Sequence, residues 1–196
     1  MQNLELEKRT WCLTEGLREY LIIISPSAHI KNDLFGFKKD FMYRFGTARY
    51  IHSIAHISLS NFMIESIPEL TILNELRYAL GGKKRFEVHA NGFQKFIGSN
   101  TLCIGVMGAE IIKFQNLMVA VLRKRAKIGN RGTQKIGVPH MTIASKIPDL
   151  EFERSWAYFR EKSYSKVFTV AKITILRKNH SLGEKVYKMA FEIELE

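Results

Sequence analysis

Apolar residues in this chain fall into short β-branched runs separated by stretches of helical spacing, and the two kinds of segment alternate from end to end. Tyr20–Ser25 is continuous, β-branched and stopped by Pro26, which predicts a buried strand. Leu34, Phe37, Phe41, Met42 and Phe45 then recur at helical spacing over 29–46, weakened only at Gly36. From Ile51 to Ser60 the pattern becomes alternating. Ile51, Ala55, Ile57 and Leu59 are predicted on one face of a strand, with His52, His56, Ser58 and Ser60 on the other. A helix over 68–80 ends at Gly81-Gly82, and strands over 85–97 and 101–107 join through Gly98-Ser99-Asn100. A basic helix follows over 109–127. Val138–Ser145 is a second alternating strand, with Pro139 near its start, where a missing donor is tolerable. The spacing predicts a helix over 150–162 and a terminal hairpin of 167–178 with 185–195, turning near 179–183. Residues 1–19 read as a polar, partly helical lead-in.

The order of these elements repeats. The apolar run at Leu21 precedes His56 by about the distance that the run at Leu102 precedes His140, with a helical stretch between in each case. Phe86 follows His56 nearly as Phe168 follows His140. A repeat of this length means two similar lobes, about 20–100 and 101–195, in one bilobal domain spanning 1–196. Strands that alternate with helices yet pair in hairpins argue for α/β or α+β with mostly antiparallel sheets.

Composition narrows the class. The 46% hydrophobic and 25% charged content of these 196 residues is that of an ordinary globule, and the apolar runs are too short to span a bilayer. The first nine residues lack the basic-then-apolar order of a signal peptide. Cys12 and Cys103 show no ligand spacing and read as free thiols of a reducing compartment, so a cytoplasmic protein is expected. The formal net charge of +11 favours polyanionic partners. Its densest patch, Arg123-Lys124-Arg125-Ala126-Lys127 with Arg131 and Lys135, runs towards His140, and Gly129 and Gly132 loosen the backbone between. Two readings compete for it: a solvated helix C-terminus, and a loop that recruits phosphate.

Two strings carry the candidate chemistry, His56-Ile57-Ser58-Leu59 and His140-Met141-Thr142-Ile143. Residues i and i+2 of a strand share a face, so each string presents an imidazole beside a hydroxyl. Taken singly, a histidine in an apolar strand reads as a core residue with satisfied nitrogens. At equivalent places in two lobes, the strings would meet at one cleft. There they would surround a phosphate with two proton-transfer groups and two hydrogen-bond donors, a toolkit for phosphodiester cleavage without a metal. His52 and His56, four apart on a strand, do not have the helical zinc spacing, and no G-x-x-x-x-G-K-[ST] loop is present. No metal, nucleotide cofactor or obligate protein partner is implied. Tyr50 and Phe62 flank the first string and suit either stacking on a base or packing.

These paired motifs, one per half of a chain of this length, resemble the 2H phosphoesterase superfamily, and within it the bacterial and archaeal 2′-5′ RNA ligase-like branch, also described as RNA 2′,3′-cyclic phosphodiesterases. The resemblance covers nearly the whole chain in element order and rests on about ten residues in its specific content. It implies an α+β, bilobal, pseudo-symmetric fold with two mostly antiparallel sheets flanked by helices around a central cleft. It also implies a metal-independent activity that opens 2′,3′-cyclic phosphates of RNA 3′ ends or small cyclic nucleotides. By that likeness His56 and His140 would be the catalytic pair and Ser58 and Thr142 would bind phosphate; position and charge make Tyr50, Arg123, Arg125, Arg131 and Lys146 candidate contacts for RNA or phosphate. Lys146 stands where many relatives have arginine; lysine attracts phosphate but cannot make a bidentate fork. The implied order makes His140 the base and His56 the acid, giving a 2′-phosphate. Two enzymatic alternatives use the same groups, 2′-5′ ligation of RNA and cleavage of 2′-5′ oligonucleotides. A different class, a non-catalytic RNA-binding protein, would depend on the basic residues alone.

Overall fold

The computed structural model describes residues 16–64, 69–129 and 133–196, so most of the expected lead-in, and Arg131, lie outside it. The chain runs β1 (Arg18–Ile24), α1 (Ala28–Phe45), β2 (Ile57–Ile64), α2 (Glu69–Leu80) and β3 (Phe86–Phe96). A 3-10 turn at Ile97–Ser99 leads to β4 (Thr101–Met107), α3 (Ala109–Lys124), β5 (Thr133–Lys135) and β6 (His140–Ala144). The remainder is α4 (Asp149–Phe159), β7 (Ser165–Val170), β8 (Lys172–Asn179) and β9 (Lys188–Glu194). The order matches the expectation closely, because each apolar run was short enough to fit only the element its period favoured.

Two antiparallel sheets result, one ordered β5-β2-β1-β8-β9 and the other β6-β4-β3-β7. Each motif strand pairs with the strand that precedes it across a helix, β2 with β1 and β6 with β4. The sheets do not divide the chain at residue 100. β3 belongs to the second sheet, and β8 and β9 return to complete the first. The terminal hairpin expected over 167–178 and 185–195 forms between β8 and β9, and is corrected at the start of its first arm. Its first arm splits at Ala171, with β7 on β3 of one sheet and β8 on β1 of the other. The Ala171 carbonyl accepts the Leu195 N–H at 2.7 Å, in register with the β8–β9 ladder that begins beside it.

The helices tie the sheets together. α1 packs on β6 and α4, although it follows β1 in sequence, and α3 packs on β2, β5 and α2. The α1 stripe of Ile30, Leu34, Phe37 and Phe41 reaches β3 and α4 through edge-on contacts of Phe37 with Phe93 and Phe159. Asp40 of α1 accepts hydrogen bonds from Tyr158 and Lys162 near α4, at 3.0 and 2.8 Å, so the join is polar at its margin.

Phe62 belongs to this packing. Its ring stacks on Tyr20 at 4.8 Å with an interplanar angle of 4°, and it is 2% exposed. Of the two readings of this side chain the structure takes packing. Truncation to alanine should lower unfolding free energy by about 3–5 kcal/mol in denaturant titrations. A change below about 1 kcal/mol would contradict a core role for that stack.

Candidate active site

The first motif differs locally from the alternating strand expected over Ile51–Ser60. Residues 50–53 form a turn in which Tyr50 has φ 65° and the Ser53 N–H donates to the Tyr50 carbonyl at 3.0 Å. β2 starts only at Ile57, so His56 sits immediately before it. The turn is held from inside by Lys38 of α1, whose Nζ donates to the Tyr50 carbonyl at 2.8 Å, the Ser53 carbonyl at 2.7 Å and Ser53 Oγ at 2.9 Å. It is tied to the second motif strand as well: Arg49 and Ser145 exchange backbone hydrogen bonds at 3.0 and 2.9 Å.

Both imidazoles are oriented the same way. His56 Nδ1 lies 2.8 Å from the Ile54 carbonyl, and His140 Nδ1 lies 2.7 Å from the Val138 carbonyl. A carbonyl only accepts, so Nδ1 carries the proton and Nε2 of the neutral ring keeps a lone pair. The Phe96 ring meets His140 edge-on at 4.8 Å.

A second shared feature lies one residue past each hydroxyl. In the β1–β2 ladder Ile22 faces Ser60 and Ile23 faces Ser58, which leaves Leu59 as an extra residue. In the β4–β6 ladder Leu102 faces Ala144 and Cys103 faces Thr142, which leaves Ile143 as the extra one. Each motif therefore ends in a β-bulge, a device that re-aims a strand beside a site. Adjacent β1 residues point to opposite faces, so the bulge puts Ser60 on the face away from Ser58, not beside it as alternation predicts. Ser60 is buried, with Oγ donating to the Gln134 carbonyl at 2.8 Å. Thr142 stays on the face of His140, since both pair with same-face residues of β4. Ser58 and Thr142 are half-buried, and neither hydroxyl has a hydrogen-bond partner among the described residues.

β2 and β6 come into contact, and the two histidines are close enough for His140 to act on the charge of His56. Burial pushes the His56 imidazole below its ordinary range, the Ile54 hydrogen bond opposes this, and Lys38 and His140 add to it. Burial likewise lowers His140, against its bond to Val138. Two half-buried, mutually repelling imidazoles with free Nε2 atoms can exchange protons with a ligand that brings negative charge between them. Among the described residues no group of three or more His, Cys, Asp or Glu side chains is placed to hold a metal ion.

The other candidates are spread more widely. Tyr50 is 49% exposed, with the Arg49 guanidinium 4.7 Å from its ring centre. Arg123 donates to the Thr133 carbonyl at 3.3 Å, and Thr133 pairs with Phe62 at the far end of β2 from His56. At about 3.3 Å per residue that end is roughly 20 Å away. Arg125 lies with Glu75 at 3.7 Å and over the Tyr78 ring at 4.9 Å, so it belongs to the α2–α3 surface. Lys146 is exposed beyond the C-terminal end of β6, whereas His140 opens that strand. Lys38 was missed in the sequence. Its signal was a lysine on the apolar stripe of α1, four residues after Leu34 and three before Phe41.

Comparison with known proteins gives the family and the fold. The profile of the 2′-5′ RNA ligase superfamily matches residues 27–181, and the chain belongs to that family, whose members are 2H phosphoesterases. E. coli LigT complexed with NADP+ is similar in structure, with a TM-score of 0.65 and 12% identity, covering 92% of this chain and 99% of LigT. The Thermus thermophilus protein TT0787 has a TM-score of 0.64 and 13% identity, covering 90% of this chain and 97% of its own. E. coli LigT complexed with 3′-AMP gives a TM-score of 0.64 at 11% identity, covering 92% of this chain and 98% of that one. No curated protein matches the chain in sequence.

The ring geometry has a direct readout. In ¹⁵N-resolved NMR both neutral imidazoles should be the Nδ1–H tautomer, and both should titrate below the roughly 6.5 of a free histidine. An Nε2–H ring at either position would contradict the arrangement.

Proposed function

We propose that this protein is a phosphodiesterase that opens 2′,3′-cyclic phosphates of RNA 3′ ends or small cyclic nucleotides, with His56 and His140 as acid and base. The observation that carries this reading is the matched construction of the two motifs. Each has an imidazole fixed through Nδ1, a free hydroxyl two residues on, and a bulge immediately after. The family and the nucleotide complexes of LigT support a nucleotide-sized phosphodiester, and the net charge of +11 supports a polyanionic one.

In this mechanism the neutral imidazole takes a proton from water through Nε2 as the water oxygen bonds to phosphorus. The bond from phosphorus to one ribose oxygen breaks, and the protonated imidazole gives that oxygen its proton. Ser58 and Thr142 donate to the nonbridging oxygens as negative charge gathers there. With His140 as base and His56 as acid, the 3′ oxygen leaves and a 2′-phosphate remains. The two rings have then exchanged protonation states and reset through solvent. Tyr50 with Arg49 suits stacking on a base, while Arg123, Arg125 and Lys146, set apart from the histidines, suit the body of a longer RNA. The Cys103 thiol is pushed by burial up to about 12 and is inert, which fits a reducing, cytoplasmic setting.

Hydrolysis of nucleoside 2′,3′-cyclic monophosphates and of a short RNA with a cyclic phosphate end, with chelator present, tests this reading. His56→Ala and His140→Ala should each lower kcat/KM by roughly 10²–10⁴-fold with the fold intact. Normal turnover in either variant would remove the proposed site. The pH profile of kcat/KM reports the free enzyme, where both rings are lowered. Its rising limb, deprotonation of the base, and its falling limb, deprotonation of the acid, should therefore both lie on the acid side of the ordinary histidine range. A bell centred above neutrality would count against these two groups.

A further inference from the structure

We propose that Lys38 is a positioning residue of this site: its buried ammonium clamps the 50–53 turn and so sets the Ile54 carbonyl on which the His56 ring is hung. The inference rests on the phosphodiesterase reading for its catalytic meaning and on the geometry of α1 for its substance.

Lys38 is 3% exposed, on the stripe by which α1 buries itself, where an apolar side chain would pack without cost. A charge in such a place persists only where its protons are taken up. Here the acceptors are two backbone carbonyls and one hydroxyl of a single turn, at 2.7–2.9 Å. No carboxylate among the described residues neutralises it. The turn it grips contains Tyr50 in the left-handed region, a conformation a tyrosine does not choose unaided. The next residue after Ser53 is Ile54, whose carbonyl receives His56 Nδ1–H. Lys38 therefore acts on the imidazole at one remove, through the backbone.

The same amine also faces His56 electrostatically. The ionisable groups that act on that ring are Lys38 of α1 and His140 of β6, and His52 stands four residues back in its own segment. His52 shares with Lys31 and Lys38 the lining of a cavity of about 260 Å³ behind the turn. All are basic. Burial lowers Lys38 itself, to about 8, so near neutrality it is charged. An unpaired cation beside His56 makes the protonated ring a readier donor. That suits the acid of the mechanism, and bound phosphate would supply the charge that protonates the ring first.

The test is the titration of the His56 and His140 ring resonances, with kcat/KM against pH, in wild type, Lys38→Met and Ser53→Ala. Ser53→Ala removes one hydrogen bond and keeps the charge, so its His56 midpoint should stay in place. Lys38→Met should raise the His56 midpoint by roughly half a pH unit, the size of one screened unit-charge interaction, and shift His140 less. The corresponding limb of the activity profile should move with it, and kcat should fall more than KM rises. A folded Lys38→Met protein whose His56 titrates as in wild type would overturn the proposal. So would a folded Lys38→Met protein whose neutral His56 ring stays wholly the Nδ1–H tautomer, since the clamp would then not be what sets the Ile54 carbonyl. If Lys38→Met does not fold, Lys38→Gln, neutral but still an N–H donor, carries the same expectation. The ring titration needs no turnover. Absence of activity on every cyclic phosphate would thus count against the phosphodiesterase reading and still leave Lys38 to be decided by His56.

Discussion

Each imidazole hangs by one hydrogen bond from the carbonyl two residues before it, and the chemistry available to the site follows from that constraint. The bond leaves Nε2 free in both rings, with the same atom facing outward from each motif strand. It also transfers the burden of precision from the histidines to the backbone that carries Ile54 and Val138. Pro139 helps to fix the second carbonyl, because its ring restrains φ and confines the residue before it to extended conformations. No proline stands at the equivalent place in the first motif. There the backbone is fixed by contacts from elsewhere in the fold, from Lys38 of α1 and from the Arg49–Ser145 bridge.

This difference explains why the helices are distributed as they are. α1 leaves the first sheet and packs on the second, so one element supports the second motif strand from behind and the turn before the first motif from within. α1 joins the second motif strand to the turn before the first, and Phe37 anchors it by edge-on contacts with Phe93 and Phe159. Basic residues, by contrast, are spread over the outside. Arg123 sits at the end of β2 remote from His56 and Arg125 on the α2–α3 surface, so under the proposed function attraction of a polyanion and reaction at phosphorus would fall to different parts of the surface.

Much of this could be read in the sequence. Helix and strand order followed from the period of apolar residues, and the two H-x-[ST] strings followed from their equivalent places in that order. Three features could not be read. The bulges at Leu59 and Ile143 have no residue signature, for neither position is glycine and both side chains are apolar and buried, as a regular strand would also have them. The switch of sheets at Ala171 lies in a run of β-forming residues with no turn residue to mark it. The turn at 50–53 contains no glycine or proline, and its left-handed Tyr50 is sustained by tertiary contacts that local propensity does not register. Lys38 was the one visible trace of that turn, as a charge on an apolar stripe.

The central claim is that the two motifs form one site for one phosphate. Titration with a nucleoside 3′-monophosphate, followed through the ring resonances of His56 and His140, tests it most directly. Both rings should shift along one saturation curve with a single Kd, and both should become easier to protonate as the phosphate charge arrives between them. Movement of one ring alone, or two curves with distinct Kd values, would mean that the motifs do not share a ligand.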